Sequence, residues 1–109
     1  MKEEDAAELF DALASSPRLR VLRQLVQAGH EGMTAGAISE ALSVSPSALS
    51  FHLSNMTDRG LITQEKQSRS RIYRINFIRL GELVRFLLED CCQNDPTVLQ
   101  CCSPSKGSC

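Results

Sequence analysis

The feature that most constrains the fold of this sequence is a change of hydrophobic period at Gly60. Before Gly60, apolar residues recur three or four positions apart, which is the spacing of one face of an α-helix. After it, residues 61–77 carry β-branched and aromatic side chains on both sides of a polar turn at 67–70, which predicts a two-stranded hairpin. The sequence therefore predicts a run of short helices followed by one hairpin.

Four short helices are predicted before this change of period. Ser16, Thr34 and Ser45 precede three of them, and a Ser or Thr hydroxyl is a common helix N-cap. Pro17 and Pro46 follow two of these residues, and proline fits the first turn of a helix. Each helix carries a stripe of apolar residues that predicts its buried face: Ala6, Leu9, Phe10 and Leu13; Leu19, Leu22, Leu25 and Val26; Ile38 and Leu42; Leu49, Leu53 and Met56.

A fifth helix is predicted after the hairpin, over residues 79–90, and the Asn94-Asp95-Pro96 segment ends it. Short helices, a tight turn and a basic hairpin in this order predict a mainly α winged helix-turn-helix with a small β-hairpin. A chain of 109 residues has room for one such domain. We place that domain at residues 1–92, followed by a flexible, cysteine-containing tail at 93–109.

Composition and motifs exclude several classes of protein. A hydrophobic content of 42% and a charged content of 23% are ordinary for a soluble globular protein. The acidic start MKEEDAAELF has no apolar signal core, and no apolar run approaches the ~18 residues of a membrane span. We therefore expect a cytoplasmic protein with no membrane partner. The sequence also has no phosphate-binding glycine loop, nucleophile elbow or paired catalytic acids, so neither an enzyme nor an organic cofactor is expected.

Charge is distributed unevenly although the net charge is only −1. Residues 59–79 contain six basic residues and one acidic residue. Such a patch can attract a polyanion even on a neutral protein, because salt screens charges beyond ~8 Å. On charge alone, a solvated hairpin is the favoured interpretation of this patch.

The fourth helix leaves small hydroxyl residues on the faces that its apolar stripe does not use. Such residues let a helix approach a DNA duplex closely and hydrogen-bond phosphates or base edges. Phe51 either contacts thymine methyl groups or packs within the domain, and His52 suits a phosphate contact or a local hydrogen bond better than a metal. Arginines of the hairpin suit the DNA backbone or minor groove. The candidate DNA-binding residues are Ser45, Ser47, Ser50, Phe51, His52, Ser54, Arg69 and Arg71.

Three segments resemble the ArsR/SmtB family of bacterial metal-responsive repressors: LASSPRLRVLRQL at 13–25, SPSALSFHLSNMTDRGLI at 45–62 and KQSRSRIYRI at 66–75. The resemblance implies a homodimer whose first and last helices form the interface and which leaves operator DNA when a metal ion binds. It also implies that Ser47, Ser50, Phe51 and His52 face the major groove and that Arg69 lies in the wing. Ser68 departs from the glycine that is usual in this wing. The implied interface residues are Leu9, Phe10, Leu80, Leu83, Val84 and Leu87.

All five cysteines lie in the last nineteen residues, at Cys91, Cys92, Cys101, Cys102 and Cys109. Neighbouring Cα atoms are ~3.8 Å apart, short of the ~4.4–6.8 Å of a disulfide, so neither adjacent pair should close on itself. A disulfide between the two pairs is geometrically possible, but a reducing compartment argues against a disulfide framework. Two sites usual in the resembled family are absent, because the third helix has no cysteine and the last helix has no histidine.

Sulfur ligands without imidazole partners favour soft ions. Thiols at a helix C-terminus lie at the negative end of its dipole, which favours a cation that displaces their protons over a peroxide sensor. As(III) or Sb(III) needs three thiolates, which Cys91, Cys92 and one of Cys101 and Cys102 can supply, with Cys109 as a bystander. In the resembled family this arrangement is similar to that of arsenite sensors.

The sequence therefore predicts a homodimeric repressor that binds double-stranded operator DNA and is released by As(III) or Sb(III). Two alternatives stay open. One is the same fold sensing cadmium, lead, zinc or thiol oxidation, since four thiolates also suit zinc or cadmium. The other is a thiol-rich metal-binding module without regulatory DNA binding.

Overall fold

A computed structural model describes residues 1–102 of the chain. A 3₁₀ turn, Gly29–Glu31, follows the second helix, and the fifth helix continues into a π-helical turn, Phe86–Cys91. The other elements, in chain order, are α1 Glu3–Leu13, α2 Ser16–Ala28, β1 Met33–Thr34, α3 Ala35–Leu42, α4 Pro46–Asp58, β2 Ile62–Gln67, β3 Ser70–Ile75, α5 Phe77–Arg85 and α6 Pro96–Cys101. The predicted winged helix-turn-helix is confirmed, and no helix within residues 1–102 is long and apolar enough to span a membrane.

Side-chain caps define most of the helix starts. Thr34 and Ser45 accept hydrogen bonds from the third backbone N–H of the following turn, at 3.1 and 3.3 Å, as predicted. The cap of α2 is Ser15 rather than the predicted Ser16, because Ser15 has the extended backbone that a cap requires. Helix α5 starts two residues before the predicted position, because Asn76 accepts a hydrogen bond from the backbone N–H of Arg79 at 3.1 Å.

The sheet has three antiparallel strands in the order β1-β3-β2. The predicted hairpin is present, and Ile62 pairs with Ile75 at its base. The third strand, β1, is missing from the sequence prediction because two residues are too few to show a period. It pairs with β3 through Met33 and Tyr73. The hairpin is thereby fastened to the helical part of the domain, just before α3.

The core is formed by residues of helices α1 to α5 and of strands β2 and β3. The predicted stripe of α4, Leu49, Leu53 and Met56, is fully buried there. The predicted stripe of α2 is wrong in part, because Val21 and Leu25 form its buried face while Leu19 and Val26 are exposed. Apolar residues cover more than one face of α2, so only its contacts decide which face is inside. The buried set is completed by Ala6, Leu9, Ala12, Ile38, Leu61, Ile62, Ile75 and Leu83.

The chain reverses after the π-helical turn, through left-handed backbone at Gln93 and Asn94. It then forms α6, whose first N–H groups are capped by the Asp95 side chain at 2.9 and 3.4 Å. Helix α6 thus lies within the predicted tail, whose flexibility stays a prediction. The helix ends before the predicted Asn94-Asp95-Pro96 segment, and within that segment Asp95 and Pro96 supply the cap and first-turn proline of α6. Residues 103–109, with the predicted bystander Cys109, lie outside the described residues.

Candidate nucleic-acid interface and thiol site

The outer face of α4 is the candidate recognition surface. Its buried stripe fixes the helix in the core, and Ser47, Ser50, Phe51 and Ser54 are all exposed. The two alternatives for Phe51 are now distinguishable, because its side chain is 69% exposed and does not pack within the domain. Its ring makes an edge contact with the His52 ring, with centroids 5.7 Å apart and planes at 74°. The face therefore presents three hydroxyl groups around one projecting aromatic ring.

Ser45 and His52 have partners inside the protein. The Ser45 hydroxyl oxygen caps α4 by accepting from the Ala48 backbone N–H. His52 is half-buried, and its Nδ1 lies 3.4 Å from Nη1 of Arg18 on α2. A DNA contact by either side chain remains a prediction.

Two arginines that the sequence analysis does not single out connect α4 to α1. Arg18 donates from Nε to the Ala12 carbonyl oxygen at 3.0 Å and from Nη2 to the Asp11 carbonyl oxygen at 3.2 Å. Arg59, at the end of α4, forms an ion pair with the Asp11 carboxylate at 2.6 Å. The only sequence signal for this link is Arg18 within the segment SPRLRVL; nothing local indicates that Arg59 pairs with α1. The recognition helix is thereby attached to α1 at both of these points.

Several basic residues of the predicted patch form ion pairs with acids, and those without an acidic partner lie near the tip of the hairpin. Arg74 donates to the Glu65 carboxylate at 2.8 Å and to the His30 carbonyl oxygen at 2.8 Å. The Arg74 guanidinium, followed by the Gln67 amide, holds the pKa of Glu65 below its ordinary value by hydrogen-bonding its charged form. Arg59 and Arg79 are also paired with acids.

The remaining basic side chains of the hairpin are Lys66, Arg69 and Arg71, which form no ion pair with an acid in residues 1–102. Arg71 donates to the neutral Gln64 amide oxygen at 2.8 Å rather than to a carboxylate. Arg69 is exposed at the turn, beside Ser68 with its left-handed φ of 58°. The two predicted wing arginines are thus the cationic end of the hairpin.

The predicted interface residues divide into two groups. Leu9 and Leu83 belong to the core of this chain, so they have no side-chain surface to offer a partner. Leu80 is half-buried. Phe10, Val84 and Leu87 are exposed, and Ile78, which the sequence analysis does not include, is 80% exposed on α5. Only part of the predicted set is therefore exposed in the single chain, and its role as a dimer interface stays a prediction.

The cysteines follow the last helix as predicted. Cys91, Cys92 and Cys102 are free thiols, which confirms that neither adjacent pair closes on itself. Cys101 is disulfide-bonded. This differs from the sequence prediction, in which a reducing compartment argues against disulfides. Within residues 1–102, no three Cys, His, Asp or Glu side chains are close enough to hold a metal ion. Cys91 and Cys92 are adjacent, and Cys102 is not gathered with them.

Known proteins share both this fold and this sequence pattern. Residues 13–65 match a family model described as a helix-turn-helix domain. The structure of an ArsR-like transcriptional regulator from Rhodococcus sp. RHA1 superposes with a TM-score of 0.73 at 26% identity, covering 88% of each chain. The HTH-type transcriptional regulator YgaV of Escherichia coli K12 is 36% identical over 72 residues, which are 66% of this chain and 71% of that protein. The chain belongs to the ArsR family of winged helix-turn-helix transcriptional regulators.

Membership of the ArsR family fits the absence of catalytic motifs, because these similar proteins are transcriptional regulators rather than enzymes. Another relative is the putative arsenical resistance operon repressor ArsR of Halobacterium salinarum. It is 38% identical over 66 residues, which are 61% of this chain and 50% of that protein. The chain thus spans about half the length of this relative.

Proposed function

We propose that this ArsR-family regulator is a homodimeric repressor that binds operator DNA and leaves it when As(III) or Sb(III) binds cysteine thiolates behind α5. The observation that carries the proposal is the pair of free thiols at Cys91 and Cys92, directly at the end of a helix with an exposed apolar face. The Halobacterium relative is a putative arsenical resistance operon repressor, which supports the same class of inducer.

DNA binding would use the outer face of α4 in the major groove and the hairpin against the backbone or minor groove. The absence of acidic side chains from α4 before Asp58 and the unneutralised charge of Arg69 and Arg71 support this arrangement. Arg69→Ala should weaken binding about equally for all sequences and reduce the dependence of log Kd on log salt concentration, because it removes a phosphate contact. Lys2→Ala, at an exposed position before α1, removes the same single positive charge and makes a suitable control for the change of net charge.

Dimer formation would cover the exposed apolar residues of α1 and α5. The two helices are already joined within one chain by Arg79 of α5, which lies 3.9 Å from the Asp5 carboxylate. A second copy related by a two-fold axis would bury the same patch on both chains. The spacing of the two α4 helices, which must fit sites ~34–36 Å apart on DNA, would then depend on how α1 and α5 pack.

The donor set fits the proposed inducer. Sulfur is the preferred ligand of thiophilic ions, and three free thiols, Cys91, Cys92 and Cys102, follow α5. Because Cys102 is not gathered with the other two, coordination by all three would draw α6 toward the end of α5. The π-helical turn Phe86–Cys91 lies between α5 and the reversal that leads to α6, and such turns are frequent at functional sites. This movement would change the end of the interface helix and hence the spacing of the recognition helices.

The test is a DNA-release titration with the full-length chain. A fluorescent duplex containing the protein's own upstream DNA is bound at fixed protein concentration, and anisotropy is followed with arsenite, antimonite, cadmium, zinc or peroxide. We expect release by arsenite and antimonite at micromolar concentrations and none by zinc or peroxide. Release by cadmium, zinc or peroxide alone would contradict the choice of inducer, and no binding to any DNA would leave the thiol-rich binding module as the function.

Serine replacements identify the ligands, since serine keeps the size of the side chain and removes its thiol. Cys91→Ser, Cys92→Ser and Cys102→Ser should each retain DNA binding and lose arsenite release. Cys101→Ser and Cys109→Ser should respond like the unmodified chain and are the matched controls. Loss of response in Cys101→Ser with retention in Cys102→Ser would reverse the assignment of the third ligand.

The disulfide-bonded state of Cys101 favours a second candidate, a repressor that responds to thiol oxidation. In that case diamide should change DNA affinity and dithiothreitol should restore it, with Cys101→Ser insensitive to both. An arsenite response in Cys101→Ser, together with no diamide response in the unmodified chain, would decide for the metalloid.

A further inference from the structure

Helix α4 lacks the side chains that usually read base pairs. Between Pro46 and Thr57 it has no Arg, Lys, Gln, Asp or Glu. Arginine reading guanine and Asn or Gln reading adenine are the common bidentate contacts in the major groove. Asn55 is the one residue of that kind in this span, and its Oδ1 is buried without a hydrogen-bond partner. The exposed face of α4 therefore offers only hydroxyl groups and the Phe51 ring for contacts with base pairs.

Serine hydroxyls donate and accept, so they distinguish base pairs weakly. Phe51 differs because its ring, 69% exposed, is the largest apolar group on this face. In the major groove the one apolar feature of a base pair is the 5-methyl group of thymine. Contact between the ring and that methyl group removes two apolar surfaces from water together, without leaving a polar group unpaired.

The Phe51 ring is also held in place from inside the protein. The edge contact with the His52 ring restricts how the phenyl group can turn. His52 is in turn held by Arg18, which is anchored on two backbone carbonyl oxygens at the end of α1. A contact that is ordered before binding loses less conformational entropy when it forms.

We infer that Phe51 is the residue through which α4 selects its DNA sequence, by contacting a thymine 5-methyl group in each half-site, and that His52 and Arg18 are positioning residues for its ring. This rests on the proposed function, in which α4 enters the major groove.

The test uses the full-length protein and chemically altered DNA. Duplexes are first selected from a random pool, and each thymine of the selected site is then replaced by uracil, which lacks only the methyl group. At one thymine per half-site we expect the replacement to raise Kd about fourfold, the effect of one buried methyl group. A 5-methylcytosine control at unrelated positions should have no effect.

Three variants distinguish recognition of the thymine methyl group from effects on folding and on overall DNA affinity. Phe51→Ala should bind thymine and uracil duplexes equally. Ser50→Ala, on the same face, should keep the fourfold ratio of Kd for the uracil duplex to Kd for the thymine duplex, whatever its overall affinity. His52→Asn retains an acceptor for Arg18 but lacks the ring edge, and it should lower the ratio without abolishing it.

Several results would overturn the inference. A ratio of one at every thymine for the unmodified protein, or an unchanged ratio in Phe51→Ala, would show that no methyl group is read by this ring. A changed oligomeric state of Phe51→Ala in sedimentation would assign the ring to a protein interface. An unchanged ratio in His52→Asn would remove the positioning role. If selection enriches no sequence at all, the proposed DNA-binding function fails and this inference fails with it.

Discussion

Gly32 illustrates how a single residue decides where the hairpin attaches. Its φ is +73°, and a Cβ built there would lie 2.5 Å from the Tyr73 carbonyl oxygen. Only glycine tolerates both the left-handed backbone and the close approach of β3. The glycine is therefore what lets a two-residue strand dock on the hairpin.

We accordingly expect Gly32→Ala to lower the free energy of unfolding by about 1–3 kcal/mol, through backbone strain and displacement of β3. Urea denaturation monitored by circular dichroism measures the change. Gly36→Ala is the matched control, because a Cβ on this residue of α3 meets nothing within 4 Å and alanine favours helix. Equal stability of the two variants would contradict the role of Gly32.

Ser68 also adopts left-handed backbone, with φ of 58°, at the turn of the hairpin. Left-handed conformation costs a non-glycine residue about 1–2 kcal/mol. Ser68→Gly should therefore increase the free energy of unfolding by about 1 kcal/mol. For a domain of this size, that raises the midpoint of thermal unfolding by several degrees. Ser70→Gly, one step into β3, should lower the midpoint instead, because glycine weakens a strand. The opposite pattern would mean that the turn does not have this geometry in solution.

At the scale of elements, the attachment of α4 to α1 rests on polar contacts as well as on the core. The Asp11–Arg59 ion pair measures 2.6 Å and is partly exposed on both sides. Arg59 Nε is buried without a hydrogen-bond partner, so the ion pair is the principal polar anchor of this guanidinium. We expect this contact to limit the movement of the end of α4 relative to the interface helix.

A double-mutant cycle of Asp11→Ala and Arg59→Ala should give a coupling energy of about 0.5–1 kcal/mol, the upper part of the range for exposed pairs. Glu8→Ala, on the same helix and without an ion pair in residues 1–102, should change stability by less than about 0.5 kcal/mol. The coupling should weaken with added salt. A coupling near zero in urea denaturation at low salt would show that the ion pair does not join the helices in solution.

At the scale of the whole molecule, exposed apolar side chains of α1 and α5 are the surface that the proposed dimer would use. The exposed side chains are Phe10 on α1, Ile78 and Val84 on α5, and Leu87 in the π-helical turn that follows. The proposed dimer would cover them, and it would also make the spacing of the two α4 helices a property of the pair rather than of one chain.

Val84→Glu should therefore raise the dissociation constant of the dimer at least about 100-fold, because a two-fold axis brings two like charges into an apolar interface. Sedimentation equilibrium gives the measurement. Val26→Glu introduces the same charge at an equally exposed position of α2 and should leave self-association unchanged. A dimer that tolerates Val84→Glu but not Val26→Glu would place the interface on α2.

What the sequence determined alone is local in origin. The caps Thr34 and Ser45, the stripe of α4 and the hairpin follow from groups a few residues apart, and these were predicted correctly. Only the tertiary structure decided the exposure of Phe51, the pairing of Arg59 with Asp11, the third strand and the ion pairs of the basic segment. Within residues 59–79, these ion pairs leave Lys66, Arg69 and Arg71 without an acidic partner in residues 1–102. Each of these depends on residues that are distant in the chain and meet only after the core has formed, so no local pattern encodes them.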